Sequence, residues 1–314
     1  MPRLITDIYP IKKIPKQYFT RGLIILVIGS GLLLGNWLGV VRLPSKVQEA
    51  EAAVTAANLT SGSSTTDASS YTTASITPSA NQLILVAVTI RNDTSAAAPT
   101  PTISGNGLTW VAIDNQTMGA RQKLTLFRSM GASPSAGVIT IDTGGDTQDM
   151  ASWTVDQFDG VDTSGTNGSG AIVQSAKNSA TGATSLTVAL VAFGSANNAT
   201  YGTFAHVVSN EAITQGTGFT ELADSFAAAV YGTESEWRND NDTSVDASWV
   251  TSGNAAGIAV EIKAAAGAAP TVTDVNPNNG LNTAGGETVT ITGTGIKVGS
   301  NGVKVDTTYA TTSG

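Results

Sequence analysis

The stretch NQLILVAVTIRND, Asn81 to Asp93, decides the fold. Its apolar run is short, rich in β-branched residues, and closed by Asn-Asp turn chemistry. That combination predicts a strand buried on both faces rather than one side of a helix. The text around it repeats the pattern. GLTWVAIDNQ, RQKLTLFRSM, AGVITID, MASWTVDQFDG, GAIVQSAK, ATSLTVALVAFG, ASWVTSG and AAGIAVEIKAAA follow in order, each bounded by Gly, Asn, Asp, Ser or Pro. No helical periodicity of useful length interrupts them. Many short strands at near-regular spacing predict an all-β sandwich over residues 71–264. Its length exceeds one seven-stranded immunoglobulin-like unit, so a larger, jelly-roll-like two-sheet sandwich is expected. Two smaller sandwiches are the alternative, and no convincing internal repeat or Pro-rich break is visible.

Period-two alternation assigns faces. Trp153, Val155 and Gln157 share one side of their strand; Thr154, Asp156 and Phe158 share the other. Leu124 and Leu126 point one way and Phe127 the other. Ile258, Val260 and Ile262 share a face, with Glu261 and Lys263 turned away.

Composition limits the chemistry. The 314 residues are only 13% charged, carry 34 glycines, and include no cysteine and one histidine. Thiol catalysis, thiolate metal sites, a disulfide framework and His-rich zinc sites are excluded. Large packed sheets must hold the fold. The formal net charge is −8. Seven of the basic residues precede Val47, against the single acid Asp7, which leaves the remainder of the chain at a net −14. An acidic body repels nucleic acid, so no nucleic-acid partner is expected.

Gly22 to Val41, GLIILVIGSGLLLGNWLGVV, has 20 residues without a charge. As a helix it would span roughly 30 Å, one hydrocarbon core. Five basic residues precede it, which places residues 1–21 in the cytoplasm as a basic leader. Residues 22–41 are expected to be a transmembrane signal anchor or a signal peptide, with the membrane as the first partner. Either reading exports the rest of the chain. Residues 42–70 are expected to form a stalk and polar linker, and residues 265–270 a second, small-residue linker.

Thr271 to Ile296, TVTDVNPNNGLNTAGGETVTITGTGI, reads as the start of a domain. Val272 opens a short strand that Pro277 ends, since proline offers no ladder N–H. Val289 and Ile291 alternate with Thr288, Thr290 and Thr292 as a half-buried second strand. Together with Pro270, Val275, Gly280, Gly285, Gly286, Gly293 and Gly295, these residues resemble the start of an IPT/TIG domain. The resemblance implies an immunoglobulin-like β-sandwich of the kind found on bacterial surface proteins, plexin-type receptors, some transcription factors and some polysaccharide-degrading enzymes. It also implies a domain about twice as long as residues 271–314 allow, so this domain is expected to be incomplete and the chain a fragment. Such domains serve as spacers, interaction modules and accessory modules alike, so the resemblance speaks to fold more than to function.

Candidate chemistry is sparse. No nucleophile elbow, P-loop or dinucleotide fingerprint occurs in a strand-to-helix setting. His206 shares a strand face with Phe204 and Val208, the usual setting of a structural histidine. Glycosidase chemistry needs two carboxylates across a cleft. Glu221, Glu234, Glu236 and Glu261 qualify by type, and Glu234 and Glu236 share a face if TESEWR is a strand. NDNDTSVD offers Asp240, Asp242 and Asp246 as calcium ligands, since Asp/Asn loops supply oxygens; DTGGDTQD, with Asp142, Asp146 and Asp149, is a second such loop. Both also read as solvated turns. Among the tryptophans, Trp237, beside Arg238 and the acidic loop, is expected to be the exposed one and to contact a glycan or protein ligand.

The sequence therefore points to an exported cell-surface chain of bacterial type, secreted or membrane-anchored, non-catalytic, and used for adhesion, carbohydrate or partner binding, or envelope structure. The alternative is the front of an extracellular polysaccharide-degrading enzyme in which these domains are accessory modules. Export is testable: a phosphatase that is active only outside the cytoplasm, fused after Gly314, is expected to be active, and deleting residues 22–41 to silence it.

Overall fold

The structure is a computed structural model, and it describes residues 53–208, 211–227, 231–266, 271–276 and 290–294. The expected leader, the membrane segment and residues 42–52 of the expected stalk lie outside these residues; the rest of that stretch is not a free linker, since Thr55–Ser64 is an edge strand of the sandwich. Among the described residues no helix is long and apolar enough to cross a membrane.

The chain is all-β. The strands are β1 (Thr55–Ser64), β2 (Ser70–Thr72), β3 (Leu83–Asn92), β4 (Thr102–Gly105), β5 (Val111–Met118), β6 (Gln122–Ser129), β7 (Ile139–Asp142) and β8 (Gln148–Asp159). Then come β9 (Ile172–Ala189), β10 (Ala199–His206), β11 (Thr220–Ala227), β12 (Tyr231–Arg238) and β13 (Ser244–Ile262). A separate antiparallel pair, β14 (Thr271–Asn276) and β15 (Thr290–Thr294), follows. β14 stops one residue before Pro277, where the missing N–H would break the ladder.

Two five-stranded antiparallel sheets stack face to face. The first has the order β1-β8-β3-β6-β5 and the second β11-β12-β10-β13-β9. Leu83, Leu85, Leu124, Leu126 and Phe158 from the first meet Tyr201, Ala205, Ile258, Val260 and Ile262 from the second in one core. A three-stranded sheet, β2-β7-β4, covers the outer face of the first. Tyr71, Ile103, Ile139 and Ile141 from this cover pack on Ile84, Val86, Val88, Phe127, Trp153 and Val155. β3 is therefore apolar on both sides because it lies in a middle layer, and nine of its ten residues are buried. The second sheet has its own outer core of Phe204, Val208, Val245, Ala247 and Trp249, closed by the extended ends of β9 and β13 and by residues 211–219.

The expected faces hold. Leu124 and Leu126 point into the central core and Phe127 away; Phe158 points in and Trp153 and Val155 away. The chain passes repeatedly between the first sheet, which takes β1, β3, β5, β6 and β8, and its cover, which takes β2, β4 and β7, and starts the second five-stranded sheet only after both.

The two sheets also share one topology. In chain order, the first sheet uses β1, β3, β5, β6 and β8, and the second β9, β10, β11, β12 and β13. The spatial order is first-fifth-second-fourth-third in both, read from opposite ends. Edge strand β1 lies against β11, and edge strand β5 against β9, as a two-fold axis between the sheets requires. The irregularities repeat too. The β5–β6 pairing skips Ile113, and the β11–β12 pairing skips Leu222. Short sequence echoes coincide: Ser79-Ala80-Asn81 and Ser195-Ala196-Asn197 precede the second strand of each sheet, and GNGLT (105–109) and GTGFT (216–220) introduce the third. The repeat hidden in the sequence is thus plain in the strand order.

Leu85 is fully buried at the sheet interface. Leu85→Ala is expected to lower unfolding free energy by about 2–5 kcal/mol in urea titration, through lost transfer energy and the cavity left behind.

Candidate functional site

The densest chemistry lies on the outer face of the second sheet, along β11 and β12. On β12, Thr233, Ser235 and Trp237 face the first sheet, so period two sends Glu234, Glu236 and Arg238 outward. The bulge at Leu222 sets the register of β11, which places Glu221 opposite Glu236 and Asp224 opposite Glu234. Four acids thus share two adjacent strands. Glu234 and Glu236 are 0% exposed.

A strap formed by residues 211–219 crosses above them. The Ile213 N–H donates to Asp224 Oδ2 at 3.0 Å, and the Gly216 N–H donates to Glu236 Oε2 at 2.7 Å. The other side of the strap is bound to β13 by reciprocal backbone bonds between Thr214 and Ser248. Two glycines make room. A Cβ on Gly216 would lie 2.3 Å from the Asp246 carbonyl oxygen, and one on Gly202 would lie 2.5 Å from Val245 and 3.1 Å from Glu236 Oε1. Both oxygens of Glu234, Glu236 Oε1 and Asp224 Oδ1 are buried without a hydrogen-bond partner.

Burial and mutual repulsion favour the neutral acids. Asp224 is pushed up to about 7, chiefly by burial. Glu236 is raised to about 8 by burial, against the Gly216 hydrogen bond and with Asp246 and Asp242 adding repulsion. Glu234 is raised well above its ordinary value, by burial and then by Glu236, Asp224 and Glu221. His206, on the same outer face of β10, is fully buried against Trp249 with a ring separation of 5.5 Å, and burial lowers its basicity. This is the structural histidine that its sequence setting suggests.

A second buried acid sits between the sheets. Asp156 Oδ1 accepts from Asn58 Nδ2 at 2.8 Å, and its Oδ2 accepts from the Tyr201 hydroxyl at 3.2 Å. Burial raises it to about 6, opposed by these bonds and by the neighbouring Ser235 and Thr154 hydroxyls. Beside it, Thr233 donates to Thr89 at 2.7 Å and bonds Ser152, joining β12 to β3 and β8 through hydroxyls.

The residues expected to bind ligand are placed differently from one another. Trp237 turns inward, half-buried, with its ring edge-on to Phe158 at 6.3 Å. Arg238 turns outward, since neighbours on a strand face opposite ways. The two therefore do not form one recognition surface. Arg238 Nη2 donates to Asp240 Oδ2 at 2.7 Å, its Nη1 donates to Asp242, and its guanidinium lies over Phe219 at 5.3 Å. Arg238 thus pairs with two of the three aspartates expected as calcium ligands. Among the described residues no group of three or more His, Asp or Glu is placed to hold a metal ion. In the other acidic loop, Asp149 is paired with Arg91 and Arg121, and Asp142 accepts from the Gly144 N–H within its own turn.

One open cleft of about 520 Å³ lies where β9 and β13 meet the segments following β8 and β9. Its charges are matched internally. Glu261 accepts from Asn198 at 2.5 Å and from Gln174 at 2.6 Å, and Lys263 pairs with Asp162 at 2.6 Å. Glu261 thus turns away from the central core, as its strand pattern indicates, yet is buried.

Comparisons with protein families, curated proteins and solved structures give no match.

The buried acids fix the sign of the pH dependence. Asp156, Asp224, Glu234 and Glu236 hold protons in the folded state at pH values where the unfolded chain has lost them. Stability is then greatest near pH 4 and declines as pH rises toward 8. Urea titrations across that window are expected to show the decline, and Glu234→Gln to make it shallower.

Proposed function

We propose that this chain is an exported cell-surface protein whose sandwich serves adhesion, carbohydrate or partner binding, or envelope structure, without catalysing a reaction itself. In this reading residues 22–41 carry it to or through the membrane, and residues 271–314 begin an immunoglobulin-like module of IPT/TIG type that extends the array. The observation that carries the reading is the position of the acids. Hydrolysis of a glycosidic bond requires two carboxyl groups facing a sugar across an open cleft. Glu234 and Glu236 instead lie side by side, fully buried, under the 211–219 strap. The open cleft holds a carboxylate already committed to Asn198 and Gln174. Three stacked β-layers supply stiffness and present loops at their ends, which suits a spacer or binding module.

The competing reading makes these domains accessory modules of a polysaccharide-degrading enzyme. A panel of immobilised polysaccharides and glycoproteins separates the two when retention and release of reducing ends are measured together. The full chain is expected to be retained on one or more surfaces without releasing sugar. Sugar release that is abolished in Glu234→Gln would place catalysis in this sandwich and overturn the reading.

A further inference from the structure

The shared topology of the two sheets gives an internal reference for every position. With the bulges at Ile113 and Leu222 superposed, Glu236 stands where the first sheet has Phe127, Glu234 where it has Thr125, and Asp224 where it has Asn115. Phe127 is packed core under the β2-β7-β4 cover. The same fold is therefore built once with uncharged residues at these outer positions and once with carboxyl groups there. Packing alone does not call for this, because burying an acid without a partner costs free energy that an aromatic or threonine avoids. What differs between the sheets is the cover. The first is closed by a three-stranded sheet. On the β11–β12 side, the second is closed by the strap alone.

We propose that the 211–219 strap is a proton-controlled latch, held on the sheet while Asp224, Glu234 and Glu236 are protonated and released from it as they ionise.

The geometry makes the acids the hinge of the device. The strap meets the sheet through the Ile213 and Gly216 N–H groups, each on a carboxyl oxygen, and through the buried Ile213 and Phe219 side chains. Glu234 lies between the two anchoring acids, fully buried, with neither oxygen bonded. It can remain there uncharged. Ionised, it faces Asp224 and Glu236 at close range in a medium that screens poorly, and water becomes the preferred neighbour of all three.

The Ile213 and Gly216 N–H groups and Arg238 favour the charged forms of Asp224 and Glu236, but no hydrogen bond reaches either oxygen of Glu234. Glu221 stands beside them on β11, and Asp246 reaches toward Glu236 from β13. Asp240 and Asp242 from the turn after β12 add negative charge, and Arg238 is committed to that pair. His206 on β10 is buried and kept neutral, Glu211 on the strap is bonded to the Val250 and Thr251 N–H groups, and Asp156 contributes through the sheet. Raising pH therefore adds charge of one sign beneath the strap. The shifts at Asp224 and Glu236, to about 7 and about 8, place release near and above neutrality. In this proposal burial and the repulsion among the three acids outweigh the two strap hydrogen bonds once Glu234 ionises, so the latch is closed in acid and opens toward alkaline pH. Opening uncovers the carboxyl-lined face of β11 and β12. This inference does not depend on the adhesion reading.

The test is amide hydrogen exchange on the full chain in mild detergent, corrected for the intrinsic rate at each pH. The Ile213 and Gly216 amides report the strap, and the β3 amides serve as the reference. Between about pH 5 and about pH 9, strap protection is expected to fall by at least about 10-fold relative to β3. In D224N/E234Q/E236Q that fall is expected to disappear. Should the triple variant not fold, Glu234→Gln alone is expected to shrink the fall. Strap protection that is independent of pH in the wild type overturns the proposal, as does an undiminished fall in the variants. Recovery of protection at high pH on adding millimolar calcium also overturns it, since the acids would then be metal ligands rather than proton carriers.

Discussion

Everything in this fold depends on the contact between two five-stranded sheets. With no cysteine in the chain, no covalent cross-link holds the layers. The central core of Leu85, Leu126, Phe158, Tyr201, Ile258 and Val260 does so, at about 25 cal/mol for each Å² of apolar surface removed from water. The interface is not wholly apolar. Asp156 with Asn58 and Tyr201, and the Thr89–Thr233–Ser152 hydroxyl chain, run through it. Apolar contact supplies the stabilisation. The hydroxyls and the acid favour one alignment of the sheets over neighbouring ones, because a slip would leave buried polar groups without partners.

Across that contact Ile113 and Leu222 flank the core from equivalent bulges, while Leu124 and Leu126 of the first sheet stand where the second has Thr233 and Ser235. The outer faces have diverged. One became a conventional third-layer interface; the other gathered acids beneath a short strap. Such a division is what a duplicated framework permits: the shared inner face carries stability, and one outer face is released to carry a property that costs stability. The candidate site is on the side that the core does not need.

Part of this was legible in the residues. NQLILVAVTIRND announced a strand buried on both faces, and the alternation around Trp153, Phe158, Phe127 and Ile258 assigned faces that the structure reproduces, because a period of two is a local property of extended backbone. The shared face of Glu234 and Glu236 followed from the same rule. The rule also carried a signal that was passed over: Trp237 and Arg238 are adjacent on that strand and so must diverge. Asp156, alternating with Thr154 and Phe158 on a core face, was a readable sign of a buried acid. Asp224 was not readable as a partner of Glu234, since its register depends on the bulge at Leu222 and on a hairpin that sequence alone does not fix.

By itself, then, the sequence determined the class of fold, the strand faces, the absence of thiol chemistry and the acidic character of the body, all of which rest on composition and on periodicity within single strands. Tertiary structure decided the rest. It set that the two five-stranded sheets share a topology, that Arg238 pairs with two aspartates of the loop after β12, and that three carboxyl groups meet under one strap. Those are relations between strands distant in the chain. Their physical cause is the choice of register and layer that buries the most apolar surface while leaving the fewest polar groups unpaired, a choice made by the whole sandwich at once.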